Sequence, residues 1–151
     1  MNQNLTNLLR KKQQQSKVGA AVDWDDRRDK YLQAVRDLYQ QIETILAEPI
    51  HQKTITILRR PKQLAETFIG TYAVEDLILG IGNEQVRFSP RGRTTAGAAG
   101  RVDVLGERAE AMLIARPDAK WEFVQARQPT LRTVPLDDAT LTEVLQIVMR
   151  E

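Results

Sequence analysis

A chain of 151 residues with 42% hydrophobic content is long enough for one domain with its own core, and the absence of cysteine excludes disulfides, thiolate metal sites and cysteine nucleophiles together. His51 is the single histidine, so His-rich metal sites are excluded, as is any Ser-His-Asp arrangement that does not use that one residue. No apolar run approaches the roughly 20 residues of a membrane span, and the N-terminus lacks the apolar region of a signal peptide, so a soluble, cytoplasmic protein is expected.

The net charge is only +2, but its distribution is uneven. Residues 59 to 101 carry seven Lys/Arg against four Asp/Glu, whereas residues 102 to 151 carry six against nine. A basic middle and an acidic C-terminal third result, an asymmetry compatible with an anionic partner, although imbalances of this size more often mark ordinary solvated surface.

Residues 1–22 read as a flexible arm. Leu5, Leu8 and Leu9 suit one turn of amphipathic helix, but Arg10-Lys11-Lys12-Gln13-Gln14-Gln15 adds no apolar partner and Gly19-Ala20-Ala21 has little to pack. A single domain is expected over 23–151. Asp23 can cap a helix whose first turn holds Asp25 and Asp26, and Pro49 is its expected stop. Tyr31, Leu32, Val35, Leu38, Tyr39, Ile42, Ile45 and Leu46 recur along it at helical spacing. The stripe is wider than a coiled-coil seam, which predicts packing on a sheet or in a bundle. If a second protomer shares it, Tyr31, Leu38, Tyr39 and Ile42 become an interaction surface. A homodimer and a monomer are left equally open.

After Pro49 the period becomes alternating. Thr54-Ile55-Thr56-Ile57 predicts a short strand ended by Arg59-Arg60-Pro61. Gln63 to Val74 is ambiguous, with a helix face at Leu64 and Phe68 set against the strand composition of Thr67 to Tyr72; it is read as strand. Gly82-Asn83 suits the primed two-residue turn of a hairpin, and it sets the register Ile81 opposite Glu84, Leu79 opposite Val86 and Leu77 opposite Phe88. A second hairpin joins Arg101–Leu105 to Ala109–Ala115 through a loop of two or four residues. Arg116-Pro117-Asp118-Ala119 makes a β-turn. Trp121 and Phe123 share one side of a further strand, and Leu131 to Val134 gives the last. Asp137 or Asp138 then caps a short helix whose inner face is Leu141, Val144, Leu145 and Val148. The class is α+β: a long N-terminal helix, an antiparallel sheet or open barrel of about seven or eight strands, and a short C-terminal helix.

The segment from Ser89 to Arg101 is the one stretch not composed for a core, having three arginines, three glycines and no acidic or large apolar residue. Glycine lets backbone N–H groups approach a ligand and arginine offers a planar fork of donors, so Arg91, Gly92, Arg93 and Arg101 are the candidate anion- or nucleic-acid-binding residues. The loop lacks the GxxxxGK[ST] spacing of a P-loop. Asp103, mid-strand between two valines, needs a partner if it points inward, and Arg101 on the same face is the nearest.

No catalytic constellation, metal site or cofactor fingerprint is present in the sequence. The leading expectation is therefore a non-catalytic protein-interaction or accessory module, an adaptor or scaffold of a bacterial-type complex, binding an unidentified protein partner. The alternative is a nucleic-acid-binding accessory protein using the Gly/Arg loop. A third reading is a small cysteine-free hydrolase or nuclease built on Asp103, Glu66 or Glu75 with an arginine.

Overall fold

The structure, a computed structural model, describes residues 4–11, 23–92, 99–118 and 120–151. Residues 4–11 form a short helix, α1, with Leu5, Leu8 and Leu9 exposed. The long helix α2 (Trp24–Ile45) starts where its cap predicts: the Asp23 carboxylate accepts from the N–H of Asp26 at 2.9 Å, with Asp25 and Asp26 in the first turn. It does not run to Pro49. The chain breaks at Leu46 and continues as α3 (Ala47–His51), with Pro49 inside the first turn of that short helix, where a missing N–H does no harm.

Seven strands follow: β1 (Ile55–Glu66), β2 (Gly70–Ile81), β3 (Glu84–Gly92), β4 (Gly100–Leu105), β5 (Glu110–Ala115), β6 (Trp121–Ala126) and β7 (Arg132–Pro135). They form one open antiparallel sheet in the order β1 to β7, each strand pairing with its neighbours in sequence. Helix α4 (Asp138–Val148) closes the chain, capped by Asp137. Bonds from the N–H and hydroxyl of Thr140 hold the Asp137 carboxyl below the usual carboxylate range.

Arg59-Arg60-Pro61 does not end the first strand; β1 passes straight through it, with Pro61 opposite Glu75. Proline and charge are tolerated there because β1 is the sheet's edge, where an N–H facing away from the ladder is not needed. The ambiguous stretch is strand on both sides of a turn at 67–69, which carries Phe68 at φ 71° and leads into Gly70 at φ 88°.

The Gly82-Asn83 hairpin has the register that turn chemistry and alternation predict, with Ile81, Leu79 and Leu77 opposite Glu84, Val86 and Phe88. Gly82 sits at φ 61°. Gly82→Val is expected to destabilise the protein by about 1–3 kcal/mol, because a β-branched residue resists positive φ. A thermal melt checks this, and an unchanged midpoint would remove the turn as the determinant of register. In the second hairpin the strands end at Leu105 and Glu110, and a further bond from Gly106 N–H to the Ala109 carbonyl at 3.1 Å tightens the loop.

Alternation places Leu77, Leu79, Val86, Phe88, Val102, Val104, Leu113 and Phe123 on one face, all buried, and α2 lies across it with Tyr31, Ala34, Val35, Leu38, Tyr39 and Ile42 in the same core. Polar anchors fix the helix to the strands. The Tyr31 hydroxyl donates to the Arg101 carbonyl at 2.8 Å and accepts from Gly92 N–H at 2.9 Å. The Tyr39 hydroxyl donates to the Glu75 carbonyl at 2.6 Å, and Trp121 Nε1 donates to the Ala34 carbonyl at 2.8 Å. Burial pushes both tyrosine hydroxyls well above their ordinary range, so they remain donors at any physiological pH. Gly100 permits this docking, since a Cβ there would lie 2.4 Å from the Tyr31 ring.

Candidate anion-binding face

The opposite face of the sheet carries the alternate residues. Arg60 stands opposite Asp76, Ile78 opposite Arg87, Ser89 opposite Asp103, and Asp103 opposite Met112. Asp76, Ser89 and Asp103 are 5%, 4% and 5% exposed. Two carboxylates and a hydroxyl so deeply covered on a sheet face need partners, and cations supply them.

Asp103 accepts from two arginines. Arg101 Nε reaches its Oδ1 at 2.7 Å and Arg101 Nη2 its Oδ2 at 3.0 Å, while Arg91 Nε reaches Oδ2 at 3.1 Å. The Arg101 contact follows from a two-residue spacing on one strand. The Arg91 contact needs the β3–β4 register, which shifts by a bulge between Pro90 and Gly92. Lys62 forms a second focus. From β1 its ammonium donates to Ser89 Oγ at 2.6 Å and lies 2.9 Å from Asp76 Oδ1, while Arg87 Nε is 3.9 Å from Asp76 Oδ2. The Lys62–Asp76 contact is ionic in character, because Asp76 Oδ1 has no partner in hydrogen-bond geometry.

Lys62 and Arg87 thus pair with Asp76, and Arg91 and Arg101 with Asp103, while Arg60 lines a neighbouring hollow with Arg87 and Glu107. The carboxylates fix where the cations stand, and Arg91 keeps about half of its side-chain exposure. Beside it β5 and β6 stop pairing beyond Leu113 opposite Phe123. A cleft of about 320 Å³ opens there, with Arg101, Asp103, Met112 and Val124 in its walls.

Of the sequence-predicted anion residues, Arg91 and Arg101 are brought together; Arg93 lies outside the described residues. Gly92 serves the fold. Its φ is 96°, its N–H is held by Tyr31, and a Cβ would meet the Glu66 carboxylate at 2.6 Å. Tyr31, Leu38, Tyr39 and Ile42 are at most 2% exposed and pack on the chain's own sheet. Glu66 accepts from the Tyr72 hydroxyl, Glu75 is exposed on β2, and Asp103 is doubly bonded to arginine, so these three acids are not gathered around one reacting position. His51 is exposed at the end of α3. Lys62, Asp76, Arg87 and Ser89 were not singled out from the sequence. Their common face follows only once β1 is known to run through Pro61.

Among the described residues no group of three or more His, Asp or Glu side chains could hold a metal ion, and no helix is long and apolar enough to cross a membrane. Comparison with protein families, with curated proteins and with solved structures finds no match to this chain.

Proposed function

We propose that this chain is a non-catalytic accessory module that binds an acidic segment of a partner protein on the open face of its sheet. The observation carrying this reading is the set of four cations, Lys62, Arg87, Arg91 and Arg101, paired with two buried carboxylates. Arginines already oriented by Asp103 lose little freedom when a carboxylate docks on their remaining donors. The helix stripe is an unsuitable surface for a partner, being occupied by the core.

A protein partner is favoured over single-stranded nucleic acid by what the face lacks. Base stacking needs exposed aromatic rings beside the cations, and the one aromatic residue that is strongly exposed, Phe68, lies at the β1–β2 turn. Nucleic-acid binding is the second reading, because Arg91 and Arg101 stand side by side at the two ends of the segment that carries Arg93.

Fluorescence anisotropy decides between them, with a labelled oligoglutamate peptide and short single- and double-stranded DNA and RNA compared at low salt. The peptide is expected to bind, with Arg91→Gln and Lys62→Gln each weakening it about tenfold, equivalent to about 1.4 kcal/mol. Nucleic acid binding in its place, with a log-log salt slope of about 0.9 per duplex phosphate contact, would establish the second reading. If the wild type binds neither at ~50 μM, far above most working affinities, this face is not a docking surface.

A further inference from the structure

The gap between β5 and β6 is a surface of another kind, made of main chain. β5 pairs with β4 down to Glu110 opposite Leu105, and β6 pairs with β7 as far as Ala126 opposite Arg132. Between β5 and β6 the ladder ends at Leu113 opposite Phe123. Kept to that register, Met112 would face Val124 and Glu110 would face Ala126, but the strands have parted there. The register of β6 on β7 shifts between Val124 and Ala126, and a bulge of this kind bends the strand that carries it.

The hairpin decides which way the main chain of β5 points. Arg116 N–H donates to the Lys120 carbonyl at 2.9 Å. In an antiparallel ladder the residues that exchange hydrogen bonds recur at every second position, so Ile114, Met112 and Glu110 turn their N–H and C=O groups towards β6. Ile114 meets Glu122. Met112 and Glu110 lie past the last pair and line the cleft of about 320 Å³.

Such an edge is a template for another strand. The outer edges of the sheet are guarded against one, β1 by Arg59, Arg60 and Pro61, and β7 by its four-residue length and Pro135. The facing segments of β5 and β6 contain no proline. Side chains around the gap divide by face. Arg101 lines it on the face of Asp103, while Ala111, Phe123 and, from α4, Ile147 line it on the core side. Glu110 and Arg127, exposed and of opposite sign, also line it. Arg101 holds Asp103 through Nε and Nη2, which leaves Nη1 for a further carboxylate.

We propose that an acidic segment of the partner enters this gap as a strand. Its main chain pairs with Glu110 and Met112 of β5, and its residues alternate, carboxylates towards Arg101 and apolar side chains towards Phe123 and Ile147. Strand addition draws affinity from main-chain bonds and specificity from alternate side chains. This docking mode rests on the binding of an acidic segment proposed above, to which it adds the conformation and sequence pattern of that segment.

Fluorescence anisotropy with the peptide Glu-Val-Glu-Val-Glu and its block isomer Glu-Glu-Glu-Val-Val tests it. The alternating peptide is expected to bind more than tenfold tighter than the isomer of equal charge. Methylating every second main-chain nitrogen of the alternating peptide should weaken binding more than tenfold in one phase and leave it unchanged in the other, because only alternate N–H groups point at β5. Glu110→Pro removes the N–H that faces the gap, at the first position of a strand, where proline is tolerated. It should weaken the alternating peptide about tenfold relative to Glu110→Gln, with the melting midpoint retained. Isomers that bind alike, methylation phases that act alike, or a Glu110→Pro chain that binds as Glu110→Gln does would each overturn strand pairing and leave the docking of an acidic segment standing. Binding of neither peptide at ~50 μM would overturn both.

Discussion

Phe88→Ala should destabilise the protein by about 3–5 kcal/mol, and Arg87→Ala, one residue away, by no more than about 0.5 kcal/mol. Phe88 is fully buried, faces Leu77 and Val104 across the ladders on either side, and lies under α2. Its removal leaves a cavity between strands already held on both sides, and such a site cannot collapse to fill it. Arg87 points to the opposite face and keeps 44% of its side chain in solvent, with its nearest carboxylate 3.9 Å away, so little is lost with it. Urea unfolding of both variants measures the pair. A Phe88→Ala cost below about 1 kcal/mol would place the core on the wrong face of the sheet.

Gly106→Ala should cost about 1–3 kcal/mol, although a single methyl group is added. A Cβ at Gly106 would stand 2.2 Å from the carbonyl oxygen of Val148, which is backbone and cannot rotate away. That carbonyl belongs to the last turn of α4, which has no basic residue of its own. Its open acceptors are satisfied from the next turn of the sheet. Arg108 N–H donates to the Val148 carbonyl at 2.9 Å, and the Arg108 guanidinium donates to the Ile147 and Gln146 carbonyls at 3.2 and 3.0 Å. The added methyl pushes the β4–β5 turn off this helix end. A lowered melting midpoint, with faster amide exchange confined to α4, is the expected result. An unchanged midpoint would mean that the turn yields freely and that the cap contributes little.

What could be read from residues alone was whatever local chemistry decides. Gly82-Asn83 permits few turns, and the alternation on either side agrees with it, so the hairpin and its register follow. Asp23 and Asp137 cap helices through bonds that span three residues. The Arg101–Asp103 pair is two positions along one strand. Arg59-Arg60-Pro61 was misleading because the same residues that break a central strand protect an edge one, and being at the edge is a property of the whole sheet. The stop assigned to Pro49 failed for a related reason, since proline is forbidden in a helix interior but welcome in a first turn. Of the candidate face, Arg91 and Arg101 were legible as charge in an unusual segment. Lys62, Asp76 and Ser89 were not, because Lys62 reaches Ser89 across an intervening strand and nothing in a linear pattern announces a contact of that kind.

The strand order has a kinetic consequence. Each strand finds its neighbour at the next turn, so the sheet can zip hairpin by hairpin with short loops to close, which favours rapid folding. The long helix is the exception. It is made before any strand, yet Ala34 waits for Trp121, 87 residues later, before its carbonyl is covered. During synthesis the Tyr31–Ile42 stripe therefore emerges well ahead of the strands that bury it. A growing chain would expose that stripe to chaperones, or to other nascent chains, until β6 has left the ribosome.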